Sequence, residues 1–188
     1  MEPPPWGTGR LLVATPALAD PNFRRTVVLL LDHDEDGALG VVLDRPLEVP
    51  VGDVLPGWAQ EVSAPALLFA GGPVSTGAAL GVAVLVEHTP AAPLGWRRMF
   101  GDTGLIDLDT PVEVVSDAIH GMRVFAGYSG WGPGQLEGEL AEVSWMLLDS
   151  EPDDLVTGDP PGLWRRVWRR QGGRLALLAD FPEDPVSN

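Results

Sequence analysis

The stretch Thr26-Val27-Val28-Leu29-Leu30-Leu31, then Asp34-Glu35-Asp36-Gly37, then Ala38-Leu39-Gly40-Val41-Val42-Leu43 decides the fold class. The first run is continuously apolar, β-branched at its start and short, which reads as a strand buried on both faces. Acidic residues and glycine supply a turn and a second apolar run returns, so a hairpin is expected over about 26–43. Working outward, strands are expected at Arg10 to Ala14, Ala66 to Ala70, Leu80 to Val86, Leu105 to Leu108, Met122 to Ala126 and Val143 to Leu148. Helices are expected at Val51 to Leu55, Val112 to Ile119, Gln135 to Glu142 and Leu163 to Arg170; the last has Leu163, Trp164, Val167 and Trp168 on one side at helical spacing. Strands and helices are interspersed without the βαβ period of a doubly wound sheet, so the class is α+β.

The 188 residues suit one domain over 1–188, with an ordered core at about 9–180 and flexible tails at 1–8 and 181–188. The chain contains no Cys, which excludes disulfides, thiol nucleophiles and thiolate metal sites and fits a reducing cytoplasm. No secretory signal or membrane-spanning run is apparent. The net charge is −15, from 27 carboxylates against 12 basic residues, all of them Arg. Without Lys there is no Schiff-base chemistry and no phosphate-loop lysine, and the acidic surface disfavours nucleic acid.

Several motifs carry candidate chemistry. Asp32, Asp34, Asp36 and Gly37 open like a calcium-binding loop, but Leu43 stands where the bidentate Glu is needed, so no resident metal is expected and the acidic hairpin tip, with His33, remains a candidate surface. Gly127-Tyr128-Ser129-Gly130-Trp131 resembles a nucleophile elbow, yet Trp131 occupies the second glycine's place, and His33, His88 and His120 all precede Ser129. The same segment, running to Gly134, Gln135 and Glu137, is expected to be a glycine-rich loop with positive φ in which Gly132 and Gly134 resist substitution. Arg165, Arg166, Arg169 and Arg170 form a stripe that either pairs with the chain's own carboxylates or docks an acidic partner.

Three segments together resemble the bacterial YqgE/AlgH family: Phe23 to Pro46, Gly71-Gly72-Pro73-Val74, and Phe125 to Glu137. The resemblance implies an α+β fold with a strongly bent mixed sheet, a small barrel-like core and surrounding helices; it implies no established reaction, and one branch carries a proposed regulatory role. The chain departs from the family pattern at Ser75 to Leu80, which has neither the Arg nor the His of many members. The expectation is a non-catalytic cytoplasmic domain that binds a small molecule or protein, with no cofactor, nucleic acid or membrane contact, and with oligomeric state left open. Its surface would comprise Asp32, His33, Asp36, Gly71, Gly72, Pro73, Tyr128, Ser129, Trp131, Gly134, Gln135 and Glu137. The alternatives are a hydrolase-like enzyme using Asp32, His33, Ser129 or Glu137, and a transcriptional regulator.

Overall fold

The computed structural model describes residues 6–87 and 91–183. Ten strands are present: β1 (Leu11–Ala14), β2 (Val27–Asp34), β3 (Gly37–Val42), β4 (Pro46–Pro50), β5 (Leu67–Ala70), β6 (Val74–Leu85), β7 (Trp96–Phe100), β8 (Thr103–Ile106), β9 (Ile119–Trp131) and β10 (Trp145–Leu148). Five short helices accompany them: α1 (Val51–Val54), α2 (Gln135–Ala141), α3 (Pro152–Leu155), α4 (Leu163–Arg170) and α5 (Gly173–Ala176). The sheet runs β10-β1-β2-β3-β9-β6-β8-β7, with β5 joining β9 in parallel and β4 joining β5. All other pairings are antiparallel, so the fold is α+β with a strongly curled mixed sheet forming a half-barrel.

Both faces of the hairpin strands are covered. Val27, Leu29 and Leu31 enter the core inside the curl with Phe69, Phe125 and the apolar side of α4, whereas Val28 and Leu30 pack outside it with Trp131, Leu136 and Trp145. A third cluster, around Trp58, Ala83, Trp96 and Met122, fills the far end. That double burial is why the runs are continuously apolar rather than alternating.

β9 is the shared spine, and here the structure corrects the sequence reading. The strand does not stop at Ala126; it runs through the glycine-rich segment to Trp131, pairing with β6 along its length, β5 at Phe125 and Ala126, and β3 at Ser129 to Trp131. Gly127 (φ 73°) carries the bend, and a β-carbon there would lie 2.7 Å from the Gly72 carbonyl oxygen. Gly134 also has positive φ, but Gly132 does not and has open space around it, so the expected strain sits on Gly127 and Gly134. The helix expected at Val112 to Ile119 is two 3-10 turns, Val112–Val114 and Ser116–Ala118. β4 and β7 were not anticipated, because Pro46 and Pro50 and the polar pair Arg97 and Arg98 break the apolar pattern.

Two buried charges tie this frame together. Arg123 of β9 is 1% exposed and has no carboxylate partner among the described residues. Its guanidinium donates instead to the carbonyls of Ser63 (2.9 Å), Ala64 (2.9 Å), Pro65 (3.1 Å), Leu155 (3.1 Å) and Thr157, and stacks on Phe69 at 4.3 Å. Desolvation pushes it down to about 10, so it stays charged at neutral pH. Asp44, in the β3–β4 turn, is also buried and accepts the Val27 N–H at 3.2 Å. Burial raises its carboxyl to about 7, against the lowering effects of that N–H and of Arg45.

Arg123→Met leaves five carbonyls without their donor and is expected to cost about 3–5 kcal/mol in urea unfolding. Arg123→Lys, whose single nitrogen cannot reach the carbonyls of both segments at once, is expected to recover less than half of that loss. For Asp44 the folded value lies above the ordinary 3.8, so the native state holds an extra proton between 3.8 and about 7 and loses stability as pH rises through that window. Asp44→Asn, which keeps an acceptor for Val27, is expected to match the parent near pH 4 and exceed its stability at pH 8. Unfolding midpoints across that range check this; a variant clearly weaker at pH 8 would contradict it.

Candidate functional site

The twelve residues expected to share one surface separate into two groups along β9. At the hairpin end, β2 and β3 bring His33 against α2: His33 Nδ1 accepts the Gly7 N–H at 3.0 Å, which leaves Nε2 to donate to Glu137 Oε1 at 2.8 Å. Trp6 lies over the same imidazole, with ring centroids 5.5 Å apart. The Glu137 carboxyl is held below its ordinary range, first by its own backbone N–H and then by His33. Both ring nitrogens of His33 are therefore engaged, and its side chain is 4% exposed, so this pair fixes α2 to the hairpin rather than offering a free base.

Strand alternation points Asp32 and Asp34 outward while His33 points inward, so the imidazole and the two carboxylates do not share a face. Asp34 accepts the Asp36 N–H in a local turn, and among the described residues no group of three or more His, Asp or Glu is placed to hold a metal. Trp131 is 6% exposed and sits in an aromatic cluster with Phe23 and Trp145. One carboxylate oxygen of Glu139 accepts both indole N–H groups, at 2.9 Å each. Gln135 bridges Gly132 N–H and the other oxygen of Glu139, so the start of α2 beside Gly134 is internally satisfied.

Ser129 is fully buried and its hydroxyl donates to the Gly71 carbonyl at 3.1 Å. Its recorded partner is a carbonyl and not an imidazole; His33 is committed elsewhere, His120 lies exposed at the start of β9, and His88 is outside the described residues. Ser129 and Trp131 are both buried, because strand alternation puts them on the same covered face of β9. Gly71 and Gly72 serve the same contact: a β-carbon on Gly71 would lie 2.3 Å from Gly127 O, and one on Gly72 2.3 Å from the Tyr128 carbonyl group. Tyr128 itself is half-buried against the inner core.

That close approach positions a cleft of about 400 Å³ on the other side of the β5–β6 turn. Pro21 and Asn22 line it from the loop before β2, Arg45 from the β3–β4 turn, Pro46 and Leu47 from the start of β4, Gly72 and Pro73 from the β5–β6 turn and Thr76 from the start of β6, with Val42 and Ala70 completing the lining. Arg45 is the sole charged residue in the lining, and among the described residues it makes no ion pair. One of its nitrogens donates to the Arg24 carbonyl at 2.5 Å, which anchors the fork and leaves its other N–H groups for the cleft. Ser75, one of three non-glycine residues with positive φ among the described residues (49°), stands between the lining residues Pro73 and Thr76; backbone strain of this kind concentrates at functional sites. Of these residues the sequence reading marked only Gly72 and Pro73 as site residues. Pro21, Asn22, Arg45 and Pro46 were legible as turn chemistry and as part of a motif, but their convergence needs the fold.

The arginine stripe of α4 is engaged by the chain itself. Arg165 donates to the Ala179 carbonyl and pairs with Glu183, Arg166 pairs with Asp159 at 2.9 Å, and Arg169 pairs with Asp180 at 3.0 Å. Arg170 forks onto both oxygens of Asp154, and that bonding, more than the nearby charges, raises its affinity for protons against the effect of burial. No helix among the described residues is long and apolar enough to cross a membrane.

Comparison with known proteins agrees with this fold. The AlgH-like family model matches residues 11–176. A UPF0301 protein of Streptomyces coelicolor is 58% identical over 183 residues, covering 96% of this chain and 95% of that one, and a UPF0301 protein of Mycobacterium tuberculosis is 45% identical over 181 residues, covering 96% and 90%. The crystal structure of protein DIP2367 from Corynebacterium diphtheriae superposes with a TM-score of 0.87 at 32% identity, covering 95% of this chain and 94% of that one. The solution structure of AlgH from Pseudomonas aeruginosa gives 0.71 at 25% identity, covering 98% of each. The chain therefore belongs to the AlgH-like family of UPF0301 proteins.

Proposed function

We propose that this protein is a non-catalytic binding domain of the cytoplasm whose ligand is a small oxyanion, a carboxylate or phosphate on an apolar body, taken up in the Arg45 cleft. The observation that carries the reading is the lining itself. In a chain of net charge −15, this cleft presents one guanidinium and no carboxylate. Arg offers a planar fork matched to such oxyanions, and its remaining neighbours supply what an apolar body needs: proline and leucine walls, with the Asn22 amide and the Thr76 hydroxyl at the rim. The commitments of His33 and Ser129 support binding over hydrolysis, since a triad needs a free imidazole nitrogen beside the hydroxyl. Engagement of all four arginines of α4 by internal acceptors likewise supports binding over a direct role on DNA. A ligand seated between Asn22, Arg45 and Thr76 would change the surface a protein partner meets, which is the form a regulatory role would take.

Titration calorimetry with 3-phenylpropionate and phenyl phosphate tests the reading. The parent protein is expected to bind at least one of them, and Arg45→Gln is expected to weaken that binding at least tenfold while leaving the unfolding midpoint within about 2 °C. Equal binding by parent and variant would refute the assignment.

A further inference from the structure

A second cleft, of about 520 Å³, opens on a different part of the molecule, where the β7–β8 turn faces the end of β6 and the start of α3. Its floor is apolar, built from Leu29, Phe100 and Leu155. Among the described residues its lining holds no Arg but four carboxylates, Glu87, Asp102, Glu151 and Asp154, with His120 beside them. Two guanidiniums lie behind them: Arg98 pairs with Asp102 at 3.4 Å, and Arg170 with Asp154 at 2.7 Å and Glu151 at 3.3 Å. Even with Glu87 set aside, Asp102, Glu151 and Asp154 outnumber those guanidiniums, and the Asp102 and Glu151 side chains are 42% and 64% exposed. The charge logic is the inverse of the Arg45 cleft.

We propose that this cleft is a binding site for a small organic cation, an alkyl- or arylammonium ion whose charged end meets Asp102 and Glu151 while its apolar end rests on Phe100, Leu29 and Leu155. The two halves of the cleft each exclude an alternative. A hydrated metal ion gains nothing from an apolar floor, and among the described residues no ligand cluster for a metal is present. A neutral hydrocarbon leaves the excess negative charge at the mouth uncompensated, and an anion is repelled by it and by the net field. An amine with a hydrophobic body satisfies both: the floor removes its apolar surface from water, and the acidic mouth holds its ammonium where solvent still reaches it. This assignment is independent of the Arg45 cleft and stands or falls separately.

The test uses 2-phenylethylamine and, as its neutral counterpart of the same shape, 2-phenylethanol, each titrated into the full chain by calorimetry at low salt. The amine is expected to bind at least tenfold more tightly than the alcohol. The double variant Asp102→Asn, Glu151→Gln is expected to lose that preference. The Glu151→Gln change retains a side-chain acceptor for the first turn of α3, so the unfolding midpoint should hold. Two further variants separate this site from general attraction to an acidic surface: Asp32→Asn with Asp36→Asn, at the hairpin tip, and Arg45→Gln should both leave amine binding unchanged. Absent amine binding, equal affinity for amine and alcohol, or undiminished amine binding in the Asp102, Glu151 variant would each overturn the proposal.

Discussion

The buried guanidinium of Arg123 is the constraint on which the rest of the fold depends. A cation taken from water into a core costs several kcal/mol unless its hydrogen bonds are replaced, and here five carbonyls replace them. Those carbonyls come from two segments far apart in sequence, 63–65 and 155–157, so one side chain of β9 fixes the approach to β5 and the segment that leads into α4. No carboxylate among the described residues shares the site, which means the arrangement depends on main-chain geometry and cannot be rebuilt by exchanging one charge pair for another. Because Arg123 also stacks on Phe69, the same residue aligns β5 against β9, where Phe69 pairs with Phe125.

From that alignment the Arg45 cleft follows. With β5 locked beside β9, the turn after it must pass close over Gly127 to Ser129, and only glycine at 71 and 72 permits the approach. The turn then projects Pro73 and Thr76 toward Asn22 and Arg45, while Asp44 is drawn under the β3–β4 turn and loses its contact with solvent. Strain at Ser75 and the depressed acidity of Asp44 are two signs, independent in origin, that this corner is held away from its local optimum. The second cleft lies where the curled sheet ends, between the last hairpin and α3. A short half-barrel thus offers two concave surfaces of opposite sign without needing a long helix or a large loop.

Much of the frame was legible in the sequence. The hairpin at 26–43, the strand at 66–70 and the amphipathic α4 follow from apolar periodicity and turn residues, and the family resemblance gave the bent sheet. What periodicity could not show were the events decided by tertiary contact. Gly127 and Gly130 read as part of a loop because glycine weakens a strand, yet pairing with β3 and β6 keeps the segment extended as far as Trp131. Arg123 read as one polar residue in a short strand, since nothing local predicts five carbonyl partners. Trp131 and Ser129 were counted in the candidate surface because they stand in a motif, although a two-residue period, followed through the segment, places both on one covered face of β9. Arg45 carried the clearest missed signal: it sits between Asp44 and Pro46 in a turn, the usual place for a binding residue.

On the proposed function, ligands of negative charge enter the corner formed by Asn22, Arg45 and Thr76. The most direct measurement is a map of backbone amide shifts in the isotopically labelled protein as 3-phenylpropionate is added. Saturable shifts are expected only in residues around 20–25, 42–47 and 70–77, with those of the hairpin tip and the β7–β8 turn unmoved. Shifts centred on His33 and Glu137, or spread evenly over the surface, would contradict the proposal.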